Sequence, residues 1–173
     1  MDEKTGFRDA GFGLDIVDWI MEPGSDEAYQ EKLNKELIYR FNTPYHQDNA
    51  YLHFEPADGV VVWIALDDVT VENGAMHYRQ GAFELGDLDH FETNLPLFSK
   101  QLSAELDLVR FPEVPAVIKR GGAAIHHIQT PHRAGPNNTD RDRRAFVCNY
   151  QGTRAVVDER RKAAHDAYTA KIY

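Results

Sequence analysis

The sequence predicts a mainly β chain with flanking helices, its core a double-stranded β-helix of the jelly-roll or cupin-like type. Three observations carry that expectation. From Asn42 onward, short β-like runs alternate with Pro, Gly, Asn and Asp; helix-like spacing precedes them; and histidines recur inside the strand-like runs. An immunoglobulin-like sandwich, the structural competitor, calls for neither the N-terminal helices nor the histidines.

Along the chain, residues 25–40 (SDEAYQEKLNKELIYR) open with Ser25 as N-cap, carry acids in the first turn, and space Tyr29, Leu33 and Leu37 four apart, which predicts a helix. Residues 8–21 allow a second short helix, limited by Gly11, Gly13 and the Pro23-Gly24 turn. The strand-like runs follow: HQDNAYLHF, VVVWIALDDV, AMHYR, AVIKR, AAIHHIQ and RAFVCNYQ. VVVWIAL is apolar throughout and is expected to be buried on both faces. A polar insertion over residues 84–108, with Pro96 inside it, reads as one or two short helices able to act as a lid. The end of the chain, rich in Ala, Arg, Lys and Glu from Val157 to Tyr173, reads as a surface helix. The organisation expected is a single domain over residues 1–173: a helical region at 1–41, a β core at 42–151 holding the 84–108 insertion, and a C-terminal helix within 152–173.

Composition narrows the partners. A net charge of -9 repels phosphate backbones and anionic lipid, so nucleic acid is not an expected partner. The longest apolar run, residues 60–66, falls far short of the roughly 20 residues that cross a bilayer, and no membrane role is expected. One cysteine, Cys148, forbids an intramolecular disulfide, and the charged start MDEKTGFRDAG lacks a secretory apolar stretch, so a cytoplasmic protein is expected. A monomer or homodimer acting on a small-molecule substrate is the corresponding expectation.

Chemistry concentrates in two stretches. In PYHQDNAYLHF, His46 and Asp48 stand two apart, and a strand would point both to one face while Gln47 points to the other. That suits two ligands of one metal. His90-Phe91-Glu92 repeats the spacing, but in the polar insertion with no apolar run behind it. A third ligand is needed, and His126, His127 and His132 are the candidates. Alternation separates His126 from its neighbour His127, so the two cannot both face one site. His132 follows Pro131 just before the AGPNN turn, where a ligand is held rigidly yet leaves coordination positions open. Two histidines and one carboxylate with open positions suit non-heme Fe(II) and O2. Eleven residues later, Arg143 shares a face with Ala145 and Val147, and its planar fork suits a dicarboxylate. Arg141 and Arg144 are its rivals; alternation turns Arg144 away.

Together these residues resemble the phytanoyl-CoA dioxygenase family of iron- and 2-oxoglutarate-dependent oxygenases. His46-Gln47-Asp48 is similar to the family's HxD, VVVWIALDDVTVENGAMH to its apolar strand and "NG" turn, and HRAGPNNTDRDRR to its distal histidine with Arg at +11. The resemblance covers roughly residues 37–150. It implies that His46, Asp48 and His132 ligate Fe(II) and are catalytic, that Arg143 binds the far carboxylate of 2-oxoglutarate, and that Trp63 lies near that cosubstrate. Of the remaining histidines, His126 is the one placed to approach the site. Asn49, Tyr51 and Arg79 are candidate substrate contacts. An intact Asp48 distinguishes the chain from halogenating relatives, where a small residue makes room for chloride, and points to hydroxylation or a related oxidation. The turn after "NG", Arg79-Gln80-Gly81-Ala82-Phe83, and Ala134 both depart from the family pattern. The implied function is a dioxygenase that uses O2 and 2-oxoglutarate to oxidise an aliphatic C–H, releasing succinate and CO2. The alternatives are a cupin-like metalloenzyme without 2-oxoglutarate, and a family member that binds a ligand without turnover.

Overall fold

The structure, a computed structural model, describes residues 43–93 and 99–171 together with one N-terminal strand, β1 (Phe7–Asp9). The helix expected over 25–40 lies outside the described residues. So does the one expected over 8–21, apart from residues 8 and 9, which belong to β1.

The longest described strands are β3 (Gly59–Ala65) and β10 (Ala145–Gly152), paired antiparallel from Ala65↔Ala145 to Gly59↔Gln151. With β8 (Ala123–His127) on the far side of β3 and β1 on the far side of β10, they form a sheet of order β1-β10-β3-β8. A second sheet, β7-β4-β9, joins β7 (Glu113–Pro115), β4 (Met76–Arg79) and β9 (His132–Ala134). Trp63 and Ala65 of the first sheet and Met76 and Ala134 of the second meet with Val69 and Ala75 in one apolar cluster, so the sheets pack face to face as in a jelly roll. Leu52, Phe54, Val61, Ile128 and Ala155 form a second cluster at the other end of β3.

Five details differ from the sequence-based expectation. First, VVVWIAL is not buried on both faces: Val61, Trp63 and Ala65 are buried, whereas Val60, Val62 and Ile64 keep part of their surface. β3 is central within its sheet, but its outer face is only partly covered. Second, HQDNAYLHF is not a strand. After His46 the chain turns into a short helix, α1 (Asn49–Leu52), and only then into β2 (Phe54–Glu55). The Asp48 carbonyl accepts from the amides of Tyr51 and Leu52, and the Asn49 side chain both accepts from the Phe54 amide at 2.8 Å and donates to the Phe54 carbonyl at 3.1 Å. These local bonds outcompete an extended ladder. His53 ends the turn in the left-handed region at φ 57°.

Third, the described residues of the insertion hold a hairpin, β5 (His90–Glu92) with β6 (Lys100–Leu102), preceded by a short 3-10 helix at Ala82–Leu85, and no α-helix. Fourth, the C-terminal helix starts later than expected. Val156–Val157 is a strand, β11, paired with β2, and Asp158 caps α2 (Glu159–Thr169) by accepting from the amides of Arg160 and Arg161. The AVIKR strand is likewise displaced: β7 precedes it, and Ile118 makes only an isolated bridge to Val69.

Candidate metal centre

His46 reaches the second sheet through an isolated bridge, its amide and carbonyl exchanging 3.0 Å hydrogen bonds with those of His132 at the start of β9. Asp48 comes two residues later in helical conformation, as the N-cap of α1, and its side chain makes no capping bond. The two side chains therefore converge through a turn and not through strand alternation. Freed from capping, the Asp48 carboxylate points at both imidazoles. Its Oδ1 lies 3.9 Å from His46 Nε2 and 3.7 Å from His132 Nε2, and one ligand atom from each of the three residues lies within 4.8 Å of the other two.

The tautomers follow from the partners. His46 Nδ1 meets the Pro44 carbonyl at 2.8 Å and His132 Nδ1 the Thr130 carbonyl at 3.0 Å; a carbonyl only accepts, so each Nδ1 donates. Each Nε2 then keeps its lone pair and directs it at the cluster. Burial drives the His132 imidazole down to about 3, against the opposing pull of Asp48, and so keeps it in the neutral, ligating form. Burial alone would push the Asp48 carboxyl up, but His132, His126 and His46 together hold it below the usual carboxylate range. Two neutral nitrogen donors and one anionic oxygen, enclosed and aimed inward, make a donor set that fits a divalent transition metal with open positions.

Beside the cluster lie His126, the remaining histidine that alternation placed to approach the site, and Tyr78, which the strand patterns did not assign to it. His126 Nε2 sits 2.8 Å from the other Asp48 oxygen, Oδ2, and the Tyr78 hydroxyl sits 3.1 Å from His126 Nδ1. Tyr78 occupies the inner side of β4, opposite His132 in register. A second overlooked residue, Gln47, is completely enclosed. Its amide group donates to the carbonyls of Gly86 (2.8 Å) and Gln129 (2.7 Å) and accepts from the Leu88 amide at 2.8 Å, while its backbone N–H donates to His90 Nε2 at 3.1 Å. His90, from the look-alike His-x-Glu, thus supports the ligand turn from outside it, and burial lowers its imidazole to about 4.

The other candidate residues separate clearly. Trp63 is buried in the core on β3, with the Arg143 guanidinium 5.4 Å over its ring, so Arg143 and Trp63 form one unit on the core side of β10. Arg144 points away and clasps Asp67 at 2.8 and 2.9 Å on the surface. Asn49 does not face the cluster: it is buried, and its amide bridges Phe54 and the Asp87 carboxylate (2.9 Å). Tyr51 sets its ring edge-on to His46 at 5.8 Å, and its hydroxyl bonds the Lys100 backbone. Arg79 lies on the opposite side of β4 from Tyr78, its guanidinium 4.8 Å over the Tyr45 ring and bonded to the Phe111 carbonyl. Alternation alone would have exchanged Tyr78 for Arg79, had the register of β4 been known.

Residues 26–145 match the family model for phytanoyl-CoA dioxygenase. The chain belongs to the phytanoyl-CoA dioxygenase family. Relatives include the phytanoyl-CoA dioxygenase domain-containing protein 1 of Danio rerio, 31% identical over 107 residues, covering 59% of this chain and 36% of that protein. The Mus musculus protein of the same name is 27% identical over 134 residues, covering 70% of this chain and 46% of its own. The chain thus spans less than half the length of these curated relatives. Among solved structures, EvdO2 from Micromonospora carbonacea var. aurantiaca complexed with 2-oxoglutarate is 33% identical at a TM-score of 0.59, covering 69% of this chain and 48% of that one. The epimerase SnoN, in complex with Fe3+, alpha ketoglutarate and nogalamycin RO, is 26% identical at a TM-score of 0.57, covering 69% of this chain and 45% of its own. These matches agree with a mainly β, jelly-roll family member. Among the described residues, no helix is long and apolar enough to cross a membrane.

Proposed function

We propose that this chain carries the iron site of an Fe(II)- and 2-oxoglutarate-dependent dioxygenase that oxidises an aliphatic C–H of a small molecule, most simply by hydroxylation. The observation that carries this reading is the convergence of His46 Nε2, His132 Nε2 and Asp48 Oδ1, with both histidine tautomers fixed by backbone carbonyls. Family membership supports it, as do the iron and alpha ketoglutarate in the SnoN complex and the 2-oxoglutarate in the EvdO2 complex. When bound, iron with 2-oxoglutarate and O2 supplies the oxidising power, with succinate and CO2 as co-products.

The protein's own groups have distinct tasks. His46, Asp48 and His132 would hold the metal on one side and leave the other open. Arg143, steadied over Trp63, would pair with the distal carboxylate of 2-oxoglutarate through its planar fork. A cavity of about 330 Å³ lined by Tyr78, Phe83, Ile125, His126, His127 and Thr130 adjoins the cluster and would receive the substrate. Its wall mixes two apolar side chains with hydroxyls and imidazoles, which suits a largely apolar molecule with one or two hydrogen-bonding groups. Monooxygenase, epimerase and carbocyclase are all represented among the structural neighbours, so oxidations other than hydroxylation share this scaffold.

The test is succinate formation from 2-oxoglutarate by the purified chain with Fe(II) under O2, across a panel of amino acids, acyl thioesters and small natural products. Succinate above the metal-free background is expected. Its absence across the panel, or its persistence in Asp48→Ala or His132→Ala protein, overturns the assignment.

A further inference from the structure

The two oxygens of Asp48 have different surroundings. Oδ1 faces the Nε2 atoms of His46 and His132 at 3.9 and 3.7 Å, whereas Oδ2 is turned toward His126 Nε2 at 2.8 Å. A carboxylate oxygen only accepts, so His126 Nε2 carries the hydrogen of that bond. The opposite ring nitrogen, Nδ1, then accepts from the Tyr78 hydroxyl 3.1 Å away. Burial and the Asp48 charge keep that hydroxyl protonated, pushing its pKa well above the ordinary tyrosine value. The result is a directed chain, Tyr78 O–H to His126 to Asp48, running across the space between the two sheets. Tyr78 comes from β4 and His126 from the edge strand β8, and both are held in place, the imidazole being buried and the two rings 5.0 Å apart.

Resting on the iron-site reading above, we propose that His126 is a positioning residue. It occupies Asp48 Oδ2 so that only Oδ1 is offered to the metal, and Tyr78 fixes the His126 ring that does so. A carboxylate free at both oxygens can swing to chelate through both and fill a position that a cosubstrate or O2 needs. Holding one oxygen in a hydrogen bond prevents this and orients the ligand before metal arrives. Tyr78 and His126 also line the 330 Å³ cavity, so the same two side chains form the boundary between the metal ligand and the space beside it.

The experiment uses the whole chain and Co(II), which reports coordination through its visible d–d bands without turnover. Wild-type protein is expected to bind one Co(II). His126→Leu should raise the Co(II) dissociation constant about 10–100-fold, the usual loss when a partner of a metal ligand is removed, and weaken the d–d bands as Asp48 chelates through both oxygens. His126→Gln, whose amide can still donate to Oδ2, should recover most of the affinity. Tyr78→Phe removes only a hydroxyl and should give a smaller loss in the same direction, with an unchanged thermal midpoint as evidence of folding. Wild-type-like affinity and spectra in folded His126→Leu and Tyr78→Phe proteins overturn the positioning role alone. Failure of the wild-type chain to bind Co(II) overturns the metal-site reading and this inference with it.

Discussion

Two carboxylates stand on opposite sides of the β7-β4-β9 sheet, and their surroundings are nearly inverse. Asp48, on the inner side, is ringed by His46, His126 and His132. Glu113, on the outer side, is held by Arg133 at 2.7 and 3.1 Å, by His77 Nδ1 at 2.9 Å, and by the Tyr45 hydroxyl. Sequence neighbours divide between them: Tyr45 from His46, His77 from Tyr78, and Arg133 from His132, one member of each pair on either face. Glu113 already has its cation in Arg133. Among the described residues Asp48 is paired with imidazoles and with no Lys or Arg, a setting that suits an added positive ion. The comparison teaches that the kind of partner, guanidinium on one face and imidazole on the other, distinguishes the two carboxylates more than the number of partners does.

The largest effect expected from breaking this contrast is at Asp48. Asp48→Ala should abolish stoichiometric Co(II) binding, read by titration, together with all succinate formation. Glu113→Gln is the counterpart. It should leave Co(II) affinity within about twofold of wild type and instead lower unfolding free energy by about 1–3 kcal/mol in urea titrations, because Arg133 loses its charged partner. If Glu113→Gln released metal, or Asp48→Ala retained it, the division between the two faces would fail.

The pair also separates on acidification. Burial holds His132 at about 3, below the ordinary 6.5, so the unfolded chain takes up that proton first. Its contribution to stability is present above pH 6.5 and is lost as pH falls toward 3. Arg133 above all lowers Glu113 to about 2 from 4.5, so its contribution is present above pH 4.5 and is lost as pH falls toward 2. Urea midpoints measured against pH should therefore run parallel in wild type and Glu113→Gln above pH 4.5, and converge below it. A smaller contrast concerns the adjacent arginines. Arg143→Gln should raise the 2-oxoglutarate concentration needed for half-maximal succinate formation by about tenfold or more, consistent with loss of a bidentate pair. Arg144→Gln, which removes the exposed pair with Asp67, should change stability by at most about 1 kcal/mol and leave that requirement unchanged.

Much of this architecture was legible because strand alternation has a fixed period. VVVWIAL, AMHYR, AAIHHIQ and RAFVCNYQ all fall on strands, and the same rule separated Arg143 from Arg144 and His126 from His127. The period misled where side-chain bonds override it. Asn49 closes a helical turn on Phe54, so His46 and Asp48 converge by a different route from the one their spacing suggests. Tyr78 and Arg79 were indistinguishable until register placed one on each side of β4. The Glu113 anchor was invisible because Tyr45, His77 and Arg133 are far apart in sequence and each looks ordinary alone.

Gln47 has a consequence for how such a site can change over generations. Its side chain joins the ligand turn to Gly86, 39 residues on, and to Gln129, 82 residues on, while its backbone meets His90 of the insertion. The insertion and the segment ahead of β9 are therefore both fastened to the residue between His46 and Asp48. Remodelling the insertion and preserving metal affinity are coupled traits, and mutations that broaden substrate range at residues 86–90 are expected to require compensation at position 47.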